Sequence, residues 1–404
     1  MKDPLEDVQL TETRQQSFVV LAVMFGALVV LFVASPWVAA IIVGLILMVM
    51  LHEAGHYLAA RRAGMKATEF FLGFGPRLWS FRRGETEYGV KALPAGGYVR
   101  IIGMSNLEEV DPADEPRTFR RGTTTNRLIV ILAGVTVNIL LAWVLFTVAI
   151  AGQGKLVDGP STTAVRIVKN SAAANADPPL QVGDRFVKVD GNRIESWDQL
   201  KHAIETHGGE EVTFVVARNG ERVRITAKPE TQNGQGFLGV APGTKERSVS
   251  VLAAPIEGVR AIGTTTSAFG KGIGHLVSPA GVKQYSENFT NPAKQGSQRD
   301  LERPRSLVGI TDIGSKYIAG NVWQLLFLLA SVSLVLAIVN LLPLLPFDGG
   351  HAAVVIYEAV ASRVKGRTVR VDFRKLMPVT AVVLAVFLML GLSAMALDIR
   401  DIAR

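Results

Sequence analysis

At 404 residues, 49% hydrophobic and 19% charged, the chain is too apolar for an ordinary soluble enzyme and too charged for a pure membrane bundle, so membrane spans joined to a water-exposed domain are expected. The formal net charge of +8 does not point to nucleic acid, because the basic residues cluster beside apolar runs, where they orient spans and meet anionic headgroups. The absence of cysteine excludes a disulfide framework and any thiolate metal site, leaving imidazole and carboxylate as ligands.

Residues Met1 to Gln16 are polar and mostly acidic, and Phe18 to Ala34 is an uninterrupted apolar run, short for a span but within the usual range. A signal peptide is the rival reading. The acidic leading segment and the second apolar run straight after Ser35-Pro36 argue against it and for a helical hairpin.

The second run, Trp37 to about Ala60, ends on Leu51-His52-Glu53-Ala54-Gly55-His56. Four residues apart, His52 and His56 share a helix face and can converge on one ion, half of a tetrahedral zinc shell. Glu53 is the next residue round the helix and is placed to take a proton from a metal-activated water rather than to bind the metal. At 1.5 Å per residue the pair lies about 22 Å along a hydrocarbon core of about 30 Å. Buried charge at that depth is costly without a partner, and a metal is one. The alternative places the pair in the aqueous interface, flanking the span. Arg61-Arg62 and Lys66 follow, a basic cluster that the positive-inside rule puts in the cytoplasm, with Gly64 ending the helix.

Between Thr68 and Gly103, aromatic and β-branched stretches broken by glycine and proline read as β-hairpin material. It either dips back into the membrane toward the site or forms a small cytosolic sheet. Glu108 to Glu115 reads as a solvated acidic loop. Leu128 to Ile150 is the third span, with Gly134 and Asn138 on one face. Glycine there permits close helix approach, and Asn138 is either packing glue or functional.

From Gly152 to about Pro242 the pattern is soluble α/β: strands at Thr163 to Lys169 and Gly183 to Gly191, a helix at Ser196 to Thr206, and a hairpin of Val212 to Ala217 and Arg222 to Ala227 about Asn219-Gly220. His202 and His207 read as solvated. Val249 to Leu301 is read as amphipathic interfacial helices and then a mobile loop, with His275 unassigned.

Val322 to Leu345 is expected as the fourth span, ending in Asn340-Leu341-Leu342-Pro343-Leu344-Leu345-Pro346-Phe347-Asp348-Gly349-Gly350-His351. Prolines and paired glycines break the helix where backbone unwinding is tolerated only around a site; the alternative is an ordinary loop at the membrane surface. Asp348 is the natural third zinc ligand, completing a His, His, carboxylate set with an open position, and His351 is a neighbour. Arg363 to Lys375 is a second basic loop and Val379 to Leu397 the last span. Five spans counted from a cytosolic N-terminus put both basic loops in the cytoplasm and the region 152–320 outside.

These motifs together resemble the site-2 proteases, zinc intramembrane proteases, and most closely the bacterial members that process anti-sigma factors. The resemblance rests on His52-Glu53-Ala54-Gly55-His56, on Asn340-x-x-Pro343-x-x-Pro346-x-Asp348-Gly349, and on a soluble insert similar to a PDZ domain. It implies a polytopic α-helical membrane protein of about five spans with a four-span protease core, an inserted extracytoplasmic α/β PDZ-like domain and a membrane-reentrant β-loop. The expected organisation is 1–36, tail and extra span; 37–150, first part of the core; 151–245, PDZ-like domain; 246–321, amphipathic linker; 322–404, second part of the core. It further implies His52, His56 and Asp348 as zinc ligands, Glu53 as general base and Asn340 as substrate-binding; Asn138, from its own place in the third span, is the second substrate-binding candidate. The substrate would be a single-span membrane protein such as a pre-trimmed anti-sigma factor, the PDZ-like domain would meet an exposed C-terminus, and the site would lie in the cell membrane among its lipids, toward the cytoplasm. Two features depart from the family pattern: the extra run Phe18 to Ala34, and Val135 where many members carry proline, which bears on Asn138. The rival class is a non-catalytic membrane-anchored PDZ scaffold, against which Glu53 speaks, since a structural zinc site does not need it.

Overall fold

The computed structural model describes residues 4–105, 108–168, 171–232, 235–290, 303–306, 308–312 and 320–402. They form two compact units, one of Met1–Ile150 with Leu252–Arg404 and one of Ala151–Val251.

The first unit opens with α1 (Pro4–Ala34) and α2 (Pro36–Arg62), broken at Ser35 because Pro36 cannot continue α1 but suits the first position of a new helix. Arg61 and Arg62 occupy the last turn of α2, where cations complement the helix dipole. Strands β1 (Ala67–Arg83) and β2 (Thr86–Ile101) follow and are each folded back on themselves. Phe70 and Phe71 therefore pair with Val99 and Tyr98 on one side and with Tyr88 and Gly89 on the other, which leaves the segment around 97–101 at an edge. The acidic loop is not merely solvated. Asp114 pairs with Lys66 at 2.5 Å, Glu115 with Arg120 at 2.5 Å, and Glu108 accepts from Gly103 N–H at 2.7 Å, because basic and amide donors surround it. Helix α3 (Thr124–Gln153) leads out of the first half. Tyr57 of α2, Ile101 of β2 and Val130 and Ile131 of α3 share one apolar cluster.

The second unit contains β3 (Lys155–Ile167), β4 (Arg185–Val189), β5 (Asn192–Arg193), α4 (Trp197–Thr206), β6 (Val212–Arg218), β7 (Glu221–Ala227), β8 (Glu230–Gln232), β9 (Gln235–Phe237) and β10 (Val240–Arg247). The main sheet runs β10-β3-β4-β6-β7, with β5 on β4 and β8 paired to β9. The expected β6–β7 hairpin is present, turning through Asn219 (φ 52°) and Gly220 (φ 91°). Ser196 caps α4 by accepting from Gln199 N–H at 3.3 Å. Alternating residues of β4 and β6 place Phe186 and Phe214 with Leu200 and Ile225 in a core of its own. The expected first strand ended at Lys169, which lies outside the described residues.

The first unit resumes with α5 (Ala254–Leu276) and α6 (Pro279–Thr290), and Trp143 Nε1–H of α3 donates to Pro255 O at 3.0 Å. The loop expected toward Leu301 lies outside the described residues. Helices α7 (Val322–Asn340), α8 (Asp348–Lys365) and α9 (Phe373–Ile402) complete the unit. Helix α7 stops at Asn340 rather than Leu345, because Pro343 and Pro346 lack the amides a helix needs. A new helix starts at Asp348 and shortens the expected basic loop to the turn between Lys365 and Phe373. Among the described residues four helices are long and apolar enough to cross a membrane: Pro36–Arg62, Thr124–Gln153, Val322–Asn340 and Met377–Ile402. The apolar part of α1, Val19–Ala34, is shorter.

Candidate metal centre

Helix α2 brings His52 and His56 onto one face by their four-residue spacing, and both are buried. Their rings meet edge to face with centroids 4.8 Å apart and Nε2 atoms 3.1 Å apart. Asp348 at the start of α8 comes to them, its Oδ2 lying 3.2 Å from His52 Nε2 and 3.3 Å from His56 Nε2. The double glycine lets it do so: a Cβ on Gly349 or Gly350 would run into the backbone of Leu341 to Leu345 that α8 packs against.

The tautomer of His56 follows from its other nitrogen. His56 Nδ1–H donates to Val130 O at 2.8 Å, which turns the Nε2 lone pair toward Asp348. Asp348 Oδ2 is buried and, among the described residues, has no hydrogen-bond partner, and neither has His52 Nδ1. Three electron-rich atoms facing one another repel unless a cation lies among them. Their separations of 3.1 to 3.3 Å match the edge of a tetrahedral zinc shell, about 3.3 Å for bonds of about 2.0–2.1 Å. Among the described residues these three form the one group of ligating side chains close enough to hold a metal. The donor set fits zinc.

Glu53 is held beside this group by the edge of the hairpin, its Oε2 accepting from Val99 N–H at 3.0 Å. Asn138 is buried one turn beyond Gly134 on α3; its side-chain Oδ1 has no partner among the described residues, while its main-chain oxygen accepts from Ser333 Oγ at 2.9 Å. Asn340 is the last residue of α7. Neither asparagine bonds to the His52, His56, Asp348 group among the described residues. His351 lies against Phe373, ring centroids 6.0 Å apart.

Sequence reasoning missed two members of the site. A Cβ on Gly134 would sit 2.7 Å from His52 Cε1 and Nε2 and collide with His56 Nε2, so this glycine makes the recess for both imidazoles, beyond letting helices approach. The other is the Val130 carbonyl. Their spacing along α3, 130 and 134, is the helical stripe that also carries Asn138 and was available as a signal. Farther along, Arg127 Nη2 and Arg370 Nη1 each donate to Glu358 Oε2 at 2.9 Å, and Val371 N–H donates to Oε1 at 2.8 Å. Burial pushes the Glu358 carboxyl upward, but these donors outweigh it and hold the group below the ordinary carboxylate value.

Two imidazoles and a carboxylate whose spacing fits zinc, with a second carboxylate beside them and both imidazoles on a helix long and apolar enough to cross a bilayer, are the equipment of a membrane metallohydrolase. The sequence matches peptidase family M50 over residues 40–388. It is 34% identical over 379 residues to the zinc metalloprotease Rip1 of Mycobacterium tuberculosis, which covers 84% of this chain and 91% of that protein. It is 32% identical over 405 residues to the zinc metalloprotease Rip1 of Mycolicibacterium smegmatis, covering 90% and 95%. The chain belongs to peptidase family M50, the site-2 protease family. It is a zinc metalloprotease and a multi-pass membrane protein, and the non-catalytic scaffold reading is set aside.

Proposed function

We propose that this metalloprotease hydrolyses a peptide bond within or near the transmembrane segment of single-span membrane proteins, with His52, His56 and Asp348 holding zinc and Glu53 as general base. The reading is carried by the convergence of the three ligand atoms beside Glu53 on a helix that is itself a candidate span. Zinc bound there supplies Lewis-acid activation of water and of the scissile carbonyl. Glu53 takes the proton that the water gives up and returns it to the leaving amine. The Val99 N–H holds one carboxylate oxygen, and Oε1, which accepts no hydrogen bond among the described residues, is the oxygen left for that transfer.

A peptide bond inside a helix is shielded, so the substrate must lie extended before attack. The edge around 97–101, beside Glu53, suits addition of an extended strand, and Asn340 and Asn138 are the side chains that bond its backbone. On this reading the hairpin is a membrane-reentrant loop. Proline at Tyr98 should abolish cleavage of a helical span and spare an already unfolded one; equal loss on both would sink the strand-addition idea.

With Phe18 to Ala34 as a fifth span and the N-terminus in the cytosol, the site lies toward the cytoplasm and the unit 151–251 outside, as a PDZ-like domain. It binds an exposed C-terminus or excludes substrates whose outer domain is untrimmed, a pre-trimmed anti-sigma factor being the substrate this favours. Deleting Gly159 to Lys228 should relax substrate choice, and strict selection after deletion would argue against both roles.

The deciding experiment is cleavage of a single-span membrane peptide by purified protein, wild type against Glu53→Gln at matched zinc content. Cutting by wild type, with a loss of about 10²–10⁴-fold in the variant, is expected. Equal cutting by both would overturn the assignment of the base.

A further inference from the structure

We infer that the chain carries, apart from the metal centre, a binding site for a phosphate-bearing anion between the first turn of α3 and the end of α8. A cavity of about 780 Å³ lies there, lined by Thr124, Thr125, Arg127, Arg363, Arg367 and Arg370. Glu358 is its one carboxylate, and both its oxygens are already bonded, to Val371 N–H and to Arg127 and Arg370. Four guanidinium groups against that single acid leave the lining strongly positive. Among the described residues no carboxylate pairs with Arg363 or Arg367.

A second observation points the same way. Arg127 is only 6% exposed, so its charge sits in a poorly solvated wall of the cavity, and the one acid beside it is shared with Arg370. Two guanidinium groups sharing a single counter-charge favour an anion in the space next to them. The remaining lining supplies donors of the right kind. Ser362 Oγ accepts from Val369 N–H at 2.8 Å, which leaves its own proton to give, and Thr124 and Thr125 add hydroxyls at the positive end of the α3 helix dipole. Forked guanidinium donors, hydroxyls and a helix N-terminus together select a tetrahedral oxyanion.

Two sources offer that chemistry. Helices α3 and α9 are candidate spans whose starts adjoin this cavity and the loop beside it, so an anionic phospholipid headgroup can reach it from the bilayer. A soluble phosphate monoester offers the same oxygens from water.

The test uses full-length protein in neutral detergent and reads binding, so its outcome is independent of the protease assignment. Melting shifts and retained lipid phosphorus are measured with inorganic phosphate, with phosphatidylcholine vesicles, and with phosphatidylcholine vesicles containing phosphatidylglycerol. The variants are Arg363→Gln/Arg367→Gln and, as a control removing the same charge outside the cavity lining, Arg374→Gln/Lys375→Gln. The expected result is binding by wild type and control and at least about tenfold weaker binding by the cavity variant. A response to phosphatidylglycerol alone identifies the lipid source, and a saturable response to inorganic phosphate the soluble one. Arg363→Lys/Arg367→Lys, which keeps the charge, guards against loss through misfolding and should retain part of the binding. No response of the wild type to any probe, or equal loss in cavity and control variants, would overturn the site.

Discussion

Helix α8 contributes one acid to each of two buried polar clusters, and the two are finished differently. Around Glu358 both carboxylate oxygens are filled by donors, Arg127, Arg370 and the Val371 amide, so the chain has provided the counter-charge itself. Around Asp348 the carboxylate oxygen faces two imidazole nitrogens and, among the described residues, has no hydrogen-bond partner. Both acids lie among packed helices. An acid whose oxygens are all filled by donors of the chain contributes to holding the fold, whereas one that leaves lone pairs converging is arranged for a cation from outside.

Substitutions can break this contrast from either side. The largest expected effect is at Gly134. A valine there drives carbon into both imidazoles, so zinc content should fall and proteolysis should drop by about 100-fold or more. Metal analysis beside a cleavage assay checks it, and a Gly134→Val protein with wild-type zinc and rate would mean that the recess is not needed. Next is Glu358→Ala, which strands Arg127 in the interior and should destabilise the protein by about 3–5 kcal/mol in thermal or denaturant unfolding. Zinc stoichiometry of the folded fraction should be unchanged if the two clusters act separately.

The Glu358 cluster also predicts a pH dependence. Its carboxyl is held below its ordinary value in the folded protein, so its contribution is complete above that ordinary value and is lost as pH falls from there through the folded pKa. Melting temperatures of wild type and Glu358→Gln should therefore converge in acid and separate toward neutral pH; a gap that is constant with pH would contradict this. The smallest effect is Ser196→Ala, which removes the cap of α4 in the other unit. It should lower that unit's stability by about 1 kcal/mol and leave cleavage of a trimmed substrate unchanged.

The legible parts were those that local spacing determines. The pairing of His52 with His56 and the β6–β7 turn at Asn219-Gly220 each depend on residues within a few positions of one another. The end of α7 was misread because Leu341 to Leu345 is as apolar as the helix before it, and only the chain's reversal at the prolines separates them. Helix α8 went unread for a related reason, since its opening Asp-Gly-Gly resembles a loop when its packing against Leu341 to Leu345 is unknown. The roles of Gly134 and the Val130 carbonyl arise from the contact of α3 with α2, and the sheet edge beside Glu53 arises from two strands folding back. Such partners are distant in the chain, and periodicity carries no information about them.

Helix α3 has one further consequence. Arg127, Val130 and Gly134 lie along it in order, so at 1.5 Å per residue the imidazole recess is about 10 Å from the ionic clamp, a spacing built into one rigid rod. Under the proposed function the enzyme then works as a depth gauge. Shifting the apolar segment of a substrate by a few residues relative to its flanking charges should move the bond that is cut, while its distance from the membrane surface stays the same.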